Sequence, residues 1–347
     1  MAPLSAAAPL RCHWRSFRLP LPRPLRTARG TLAQKRGWLL RLEAPGTSPV
    51  IGWGEAAPLE AGEAEAVGAL LADWEAGGPP AATQELEALL PLLPPSLAFA
   101  CGAALAELAG QPAGGWRAAP PSAHLLPAGE EAIACLERRL LCSPEAPLTM
   151  KWKVAAGDDR QERAVLERLL QRLPATARLR LDANGGWSRA TAAAWAERLA
   201  GEPRLAWLEQ PLDPADVEGL EALARRVPVA LDESLQRHPA LRARWPSWQV
   251  RRPSQEGDPR PLLARLEAQA RLGVAAPAAP ELAHLVFSTA FETGIGHRWI
   301  AHLAALQAQG PAPVVPGLAP GWRAAGALSS PDPHQVWEAA RPEGCPP

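Results

Sequence analysis

The sequence predicts an α/β fold, a (β/α)8-type barrel with an α+β N-terminal capping domain. From about residue 122, short apolar segments alternate with helical segments of roughly 10–15 residues, which is typical of βαβ units and a parallel sheet. Eight strand candidates in this stretch favour a closed barrel over an open sheet. Residues before about 115 lack the alternation. We therefore predict a capping domain at residues 1–115, a barrel at 116–315, and a C-terminal segment at 316–347 that packs back on the capping domain.

Each element follows from its own pattern. Residues 38–42 and 51–53 are predicted as antiparallel strands, followed by helical stretches with alternating Glu and Leu. The predicted barrel strands are residues 123–126, 148–154, 179–183, 205–209, 229–232, 248–252, 285–289 and 312–315. The predicted helices are residues 130–141, 159–173, 188–199, 214–226, 261–272 and 296–309, with a short, proline-interrupted helix after residue 232.

The amino-acid composition argues against several classes of function. The 347 residues carry 36 Lys plus Arg and 36 Asp plus Glu, so a net charge of zero gives no electrostatic footprint for nucleic acid. No apolar run reaches about 18 residues, and we expect no membrane span. Five cysteines without metal-ligand spacing indicate reduced thiols in the cytoplasm. The N-terminus lacks Asp and Glu, as transit peptides do, but Pro20, Pro22 and Pro24 favour a structured strand region there.

The lysines are the most informative basic residues. The chain has only three, and two of them, Lys151 and Lys153, stand one residue apart. Arginine stays protonated at any accessible pH, whereas a lysine can release its proton in a suitable site. A Lys-x-Lys pair in a chain so rich in arginine therefore suggests proton transfer at one of the two. Strand alternation points both side chains to the same face.

Acidic side chains end three successive predicted strands. Asp182, Glu209 and Asp232 follow the lysine pair, each about one strand–helix repeat after the last. Alone, each could be a helix N-cap or a turn residue. Together, at the carboxyl ends of barrel strands, they would converge on one point, and such hard oxygen ligands suit Mg²⁺. Arg180 shares a face with Asp182, and Arg252 ends the next strand, so cationic groups face an anionic site.

These motifs together resemble the enolase superfamily, muconate-lactonizing subgroup. They are Lys-x-Lys, Leu-Asp-Ala-Asn, Leu-Glu-Gln-Pro and Leu-Asp-Glu-Ser, with a basic residue before Pro-Ser. Residues 26–30, 52–59 and 287–296 resemble the capping domain and the seventh strand of the o-succinylbenzoate synthase family. The resemblance implies a lyase of menaquinone or phylloquinone biosynthesis. Its reaction would be the syn dehydration of 2-succinyl-6-hydroxy-2,4-cyclohexadiene-1-carboxylate to o-succinylbenzoate.

The resemblance also implies roles for the strand-end residues. Asp182, Glu209 and Asp232 would bind Mg²⁺, or Mn²⁺ in its place. Lys153 would remove the proton next to the substrate carboxylate and return it to the departing hydroxyl. Lys151 would contact that carboxylate. The superfamily's combination of a lysine base with a metal ion fits the weak acidity of such a carbon.

Further residues are implied on the substrate side. Asn184 would support a metal ligand, and Arg180 would orient the succinyl arm. Ser288 and Gly294 would line the pocket with a hydroxyl and a backbone amide. Arg252 stands where many relatives have a lysine; it can stabilise negative charge but cannot act as a second base. This argues against racemases and dipeptide epimerases, which need bases on both faces.

Several alternatives stay open. The Lys-Arg-Gly sequence at residues 35–37 replaces the family's usual Arg-Glu-Gly, so the contact of this loop with substrate is undecided. A cycloisomerase, an N-acylamino acid racemase and a non-catalytic barrel remain competing hypotheses. We expect a small-molecule carboxylate substrate and no nucleic-acid or membrane partner. The sequence leaves open whether the chain is a monomer or a homo-oligomer.

Overall fold

The structure, a computed structural model, describes residues 9–27, 30–46, 49–142 and 148–340. The side chains of residues 23 and 25–32 are outside this description, and with them the side chains of the motif at 26–30. Residues 341–347, which end the predicted C-terminal segment, also lie outside it. The described residues form a three-stranded sheet and a seven-stranded sheet.

An antiparallel sheet and three helices form the N-terminal part. They are β1 (Arg11–Thr27), β2 (Gly30–Ala44), β3 (Val50–Ala56), α1 (Ala61–Gly77), α2 (Thr83–Leu89) and α3 (Pro95–Leu108). Helix α3 approaches β3 closely because Gly52 and Gly54 have no side chain; a Cβ at either would lie 2.0 Å from a carbonyl oxygen of the helix. The antiparallel strands predicted at residues 38–42 and 51–53 are confirmed.

The second sheet is parallel and alternates with helices. Its elements are β4 (His124–Leu126), α4 (Glu131–Cys142), β5 (Thr149–Lys153), α5 (Asp159–Arg172), β6 (Arg178–Asp182), α6 (Arg189–Leu199), β7 (Leu205–Glu209), α7 (Val217–Ala224), β8 (Val229–Leu231), α8 (Glu233–Arg237), α9 (Leu241–Arg244), β9 (Trp248–Arg251), α10 (Arg260–Leu272), β10 (Leu285–Phe287) and α11 (Gly294–Gln309). The strands lie in chain order from β4 to β10, as successive βα units require. The predicted fold class, a barrel of βα units with an α+β capping domain, is confirmed.

The predicted eighth strand at residues 312–315 is wrong. Pro311, Pro313 and Pro316 remove the N–H groups that a regular ladder needs, and no strand forms in this described segment. The chain nevertheless bridges the gap between β10 and β4. The Gly317 amide donates to the Phe287 carbonyl at 2.7 Å, and the Ala123 amide donates to the Pro316 carbonyl at 2.9 Å. The barrel is therefore closed by these backbone hydrogen bonds, together with side-chain hydrogen bonds of Ser122 and Ser288, instead of by a strand.

The C-terminal helix α12 (Pro333–Ala339) lies against the antiparallel sheet. Trp337 is buried there, with its ring centroid 5.7 Å from that of Trp53, and its carbonyl accepts a hydrogen bond from Arg15 at 2.8 Å. This cluster also contains Ile295 from α11, so it joins sheet, barrel and C-terminal segment. Among the helices described, none has the length and apolar character that crossing a bilayer would require.

Candidate metal centre and active site

Three carboxylates lie side by side at the carboxyl ends of β6, β7 and β8. Strand register places Lys153 opposite Asp182, and Asp182 opposite Glu209. Asp232 directly follows β8. All three carboxylates are at most 1% exposed. Because side chains alternate along a strand, Trp207 lies on the same face of β7 as Glu209. Trp207 forms part of an apolar layer beneath Glu209.

The two lysines on β5 point into this carboxylate cluster. Lys151 Nζ lies 2.5 Å from Glu209 Oε1 and 2.8 Å from Asp182 Oδ2. Lys153 Nζ lies 2.6 Å from the same Asp182 oxygen. The Lys-x-Lys spacing therefore brings two ammonium groups to one carboxylate, as strand alternation predicts.

The shared contacts shift the ionisation of these groups in different directions. Burial would raise the pKa of Asp182, but the ammonium groups of Lys151 and Lys153 outweigh it and hold that pKa well below its ordinary range. Burial and the charge of Asp182 raise the pKa of Glu209. Burial disfavours the charged form of Lys151, yet Asp182 and Glu209 together raise its pKa. Lys151 is therefore a fixed cation.

Asn184 connects the catalytic candidate Lys153 to a fourth carboxylate. Its Oδ1 accepts from Lys153 Nζ at 2.7 Å, its Nδ2 donates to Glu233 Oε1 at 3.1 Å, and its backbone amide donates to Asp182 Oδ1 at 3.1 Å. Burial, Asp232 and Asp182 raise the pKa of Glu233 to about 7. Its Oε2 is buried without a hydrogen-bond partner. Sequence reasoning missed Glu233 because Asp-Glu-Ser also has the pattern of a helix start; its position directly after Asp232 was the available signal.

Arg252 holds Asp232 through both oxygens. Its Nε donates to Oδ1 at 2.9 Å and its Nη2 to Oδ2 at 2.5 Å, while Nη1 donates to the Thr289 carbonyl at 2.5 Å. This is the bidentate geometry that a guanidinium offers and an ammonium does not. The third carboxylate thus has its own cation.

Arg180 lies on β6 two residues before Asp182 and is buried. It is 3% exposed, its Nη2 donates to the Val315 carbonyl at 2.6 Å, and its guanidinium lies 4.2 Å from the Trp207 ring centroid. Burial lowers its pKa to about 10, although Glu209 opposes the shift. In this arrangement the guanidinium supports the segment that closes the barrel.

Ser288 and Gly294 lie at the ends of the loop between β10 and α11. Ser288 Oγ donates to the Gly317 carbonyl at 3.3 Å. Gly294 begins α11 against the C-terminal segment, where a Cβ would lie 1.8 Å from the Ser330 carbonyl oxygen. Within the described residues, neither forms a hydrogen bond with the carboxylate cluster.

The donor set fits a divalent metal ion. Within the described part of the chain, no three His, Cys, Asp or Glu side chains are already grouped as metal ligands. The oxygens that would face an ion accept instead from Lys151, Lys153 and Arg252. Three buried carboxyl groups and the half-buried Glu233 nevertheless stand against three cations, and the buried Oε2 of Glu233 has no hydrogen-bond partner. Carboxylate oxygens are the ligands that Mg²⁺ prefers.

Known proteins match this chain over most of its length. The family model described as Enolase C-terminal domain-like matches residues 147–244, which hold the lysine pair and the three carboxylates. The o-succinylbenzoate synthase of Thermosynechococcus vestitus is 35% identical over 303 residues, covering 85% of this chain and 88% of that protein.

Solved structures give the same grouping. The crystal structure of o-succinylbenzoate synthase from Thermosynechococcus elongatus, complexed with Mg in the active site, matches with a TM-score of 0.77 and 30% identity, covering 95% of this chain and 99% of that one. A muconate lactonizing enzyme from Pseudomonas fluorescens matches with a TM-score of 0.66 and 21% identity, over 87% of this chain and 85% of that one, and shows the shared fold alone. On this evidence, the chain belongs to the o-succinylbenzoate synthase family of the enolase superfamily.

Proposed function

We propose that this protein is an o-succinylbenzoate synthase, a Mg²⁺-dependent lyase that dehydrates 2-succinyl-6-hydroxy-2,4-cyclohexadiene-1-carboxylate. This reaction belongs to menaquinone or phylloquinone biosynthesis. The observation that carries the proposal is the meeting of Lys151 and Lys153 with the carboxylates of Asp182 and Glu209 at one end of the barrel. Relatives named for this activity match most of the chain.

Asp182, Glu209 and Asp232 would hold the Mg²⁺. When bound, the ion supplies Lewis-acid stabilisation of negative charge on the substrate carboxylate. Lys151, a fixed cation between Asp182 and Glu209, adds positive charge on the same side of the site. Arg252 keeps both oxygens of Asp232 oriented.

Lys153 would carry the proton. Its Nζ takes the proton from the ring carbon next to the carboxylate, and the electron pair of that C–H bond moves toward the carboxylate. The same Nζ then returns the proton to the ring hydroxyl as the C–O bond breaks, so that water leaves and the ring becomes aromatic. Asn184 Oδ1, 2.7 Å from Nζ, orients the amine. One base on one face is sufficient for this syn elimination.

Arg252 separates this proposal from racemase activity. A racemase needs a second base on the opposite face, and a guanidinium stays protonated. Both terminal nitrogens and Nε of Arg252 are already engaged by Asp232 and Thr289. We also infer that the enzyme works in the cytoplasm, because Cys12, Cys101 and Cys135 are free thiols, which suit a reducing compartment.

The test follows the loss of diene absorbance with purified protein and Mg²⁺. We expect turnover by the wild type, loss of turnover with EDTA, and a rate lower by about 10²–10⁴-fold in Lys153→Arg. That variant keeps the positive charge, and its Mg²⁺-dependent rise in melting temperature controls for an intact metal site. A wild-type protein that binds Mg²⁺ but does not consume the diene would contradict the proposal.

A further inference from the structure

The third lysine of the chain is buried where the capping sheet meets the barrel. Lys35 lies on β2 opposite Leu19 and is 2% exposed. All but three of the 36 basic residues are arginines, and the other two lysines are both in the proposed active site. A lysine kept at a third, buried position therefore calls for a physical reason beyond charge.

Lys35 has few partners for a buried ammonium group. Its Nζ donates to the Pro58 carbonyl at 2.5 Å. Within the described residues no carboxylate lies within ion-pair distance of it. Burial lowers its pKa to about 8, against the opposing charges of Glu292 and Glu55, and the positive charge of Arg252 lowers it further. A buried charge without a paired partner is costly, so stability alone does not explain its presence.

The carbonyl that Lys35 holds belongs to a segment that also binds the barrel. We call residues 57–59 the junction segment. Gln255 donates through Nε2 to the Ala57 carbonyl at 2.9 Å and accepts through Oε1 from the Leu59 amide at 3.0 Å. The junction segment is thus hydrogen-bonded from both sides. Lys35 binds it from the capping sheet, and Gln255 binds it from the barrel.

Gln255 connects the junction segment to the active-site end of the barrel. It stands three residues after Arg252, and its neighbour Ser254 donates to Glu292 Oε1 at 2.6 Å. Displacement of the junction segment would therefore shift Gln255 and the loop that carries Arg252.

We propose that Lys35 is a positioning residue, whose ammonium holds the junction segment against the loop after Arg252 and so shapes the capping-domain wall of the substrate pocket. The inference rests on the proposed dehydratase activity. Because Lys35 does not touch the reacting atoms, its loss should weaken substrate binding in the ground state and the transition state alike. Such a loss raises KM and leaves kcat nearly unchanged.

The experiment compares Lys35→Met with Arg36→Met, which removes an exposed positive charge from the next position of β2. For Lys35→Met at pH 7 we expect a KM for the diene about tenfold higher, the size of a lost charged hydrogen bond. We expect kcat within about threefold and a melting temperature equal to or above that of the wild type, because a buried charge has been removed. Arg36→Met should match the wild type in all three.

Hydrogen exchange supplies a readout that does not depend on turnover. We expect the Leu59 amide to exchange about tenfold faster in Lys35→Met than in the wild type or in Arg36→Met. Unchanged KM and unchanged exchange would overturn the inference. A fall in melting temperature with unchanged KM would also overturn it, because Lys35 would then be a structural residue only. A wild type without turnover, but with faster exchange in Lys35→Met, would reject the proposed activity and keep the positioning contact.

Discussion

At the scale of single residues, Arg252 shows what a guanidinium can hold that an ammonium cannot. A lysine at this place could pair with one oxygen of Asp232, whereas the guanidinium pairs with both and also reaches the Thr289 carbonyl. Arg252 thereby fixes the orientation of a buried carboxylate. This makes the side chain's contribution to stability measurable apart from catalysis.

We predict that Arg252→Met lowers the free energy of unfolding by about 3–5 kcal/mol in metal-free protein, because it leaves Asp232 buried without a cation. Arg252→Lys should lower the free energy of unfolding clearly less, since an ammonium can still pair with one oxygen of Asp232. Urea denaturation of the three proteins in EDTA measures the difference. Equal losses in the two variants would show that Asp232 does not need the charge.

Lys35 gives a pH-dependent prediction. Its pKa is lowered from 10.5 to about 8 in the folded protein, so between these values the unfolded chain binds more protons. Stability therefore rises with pH across this window, by about 3.5 kcal/mol for a shift of about 2.5 pKa units at about 1.4 kcal/mol per unit. That contribution is fully present above about pH 10.5 and is lost as the pH falls through 8.

The check is the difference in urea stability between the wild type and Lys35→Met from pH 7 to pH 10.5. The chain has no tyrosine, so no phenol titrates in this window, and cysteine titration is common to both proteins. We expect the difference to shift in favour of the wild type as the pH rises. A difference that stays constant would mean that Lys35 keeps its ordinary pKa.

At the scale of elements, the sequence predicts most strands and helices to within a few residues, because apolar runs and helical periods are local signals. The strand at residues 312–315 failed because its apolar residues stand between prolines, and the missing N–H groups outweigh the hydrophobic pattern. The proximity of Asp182 to Glu209 followed from parallel register. The approach of Asn184 to Glu233 did not, because it depends on a turn in which Asn184 adopts a φ of 46°.

Helix α11 carries the third prediction. Its first turn is capped from the other domain by Glu55, which accepts from the Thr293 amide at 2.8 Å and the Gly296 amide at 2.7 Å. A Cβ at Gly296 would lie 2.8 Å from Glu55 Oε2 and equally close to Glu292 Cβ. We therefore expect Gly296→Ala to destabilise the protein by about 1–3 kcal/mol.

Gly62→Ala is the matched control, because Gly62 also lies in the first turn of a helix, α1, and a Cβ there would meet nothing within 4 Å. Alanine is a better helix former, so this variant should be more stable by about 0.5–1 kcal/mol. Thermal unfolding distinguishes the opposite signs. A stabilised Gly296→Ala would mean that Glu55 does not approach the helix as described.

At the scale of the whole molecule, the site is assembled from parts that are distant in sequence. The apolar cluster of Trp53, Ile295 and Trp337 joins the antiparallel sheet, the barrel and the C-terminal helix. Lys35 holds the segment after β3, and Gln255 joins that segment to the barrel by a hydrogen bond. Sequence reasoning did not find Lys35's contact, since no local pattern shows that the Lys35 side chain reaches the Pro58 carbonyl. Because one core spans these parts, binding at the barrel mouth should stabilise them together.

The effect of metal binding on thermal unfolding tests whether the capping domain and the barrel are stabilised together. Asp182, Glu209 and Asp232 are buried beside the half-buried Glu233, and burial together with neighbouring carboxylates raises the pKa values of Glu209 and Glu233 despite the nearby cations. A divalent cation that binds the folded state and not the unfolded state stabilises the protein by about 2.7 kcal/mol when its concentration is 100 times its dissociation constant.

We therefore expect Mg²⁺ to raise the melting temperature of the whole chain in one transition, and EDTA to reverse the rise. Asp232→Asn should abolish most of the shift, because a neutral amide replaces one of the proposed ligands. Asp73→Asn, an exposed change on α1, should leave the shift intact and controls for general ionic effects. A shift of equal size in both variants would place the ion elsewhere. A capping domain that melted separately, unaffected by Mg²⁺, would show that the shared core does not couple it to the barrel.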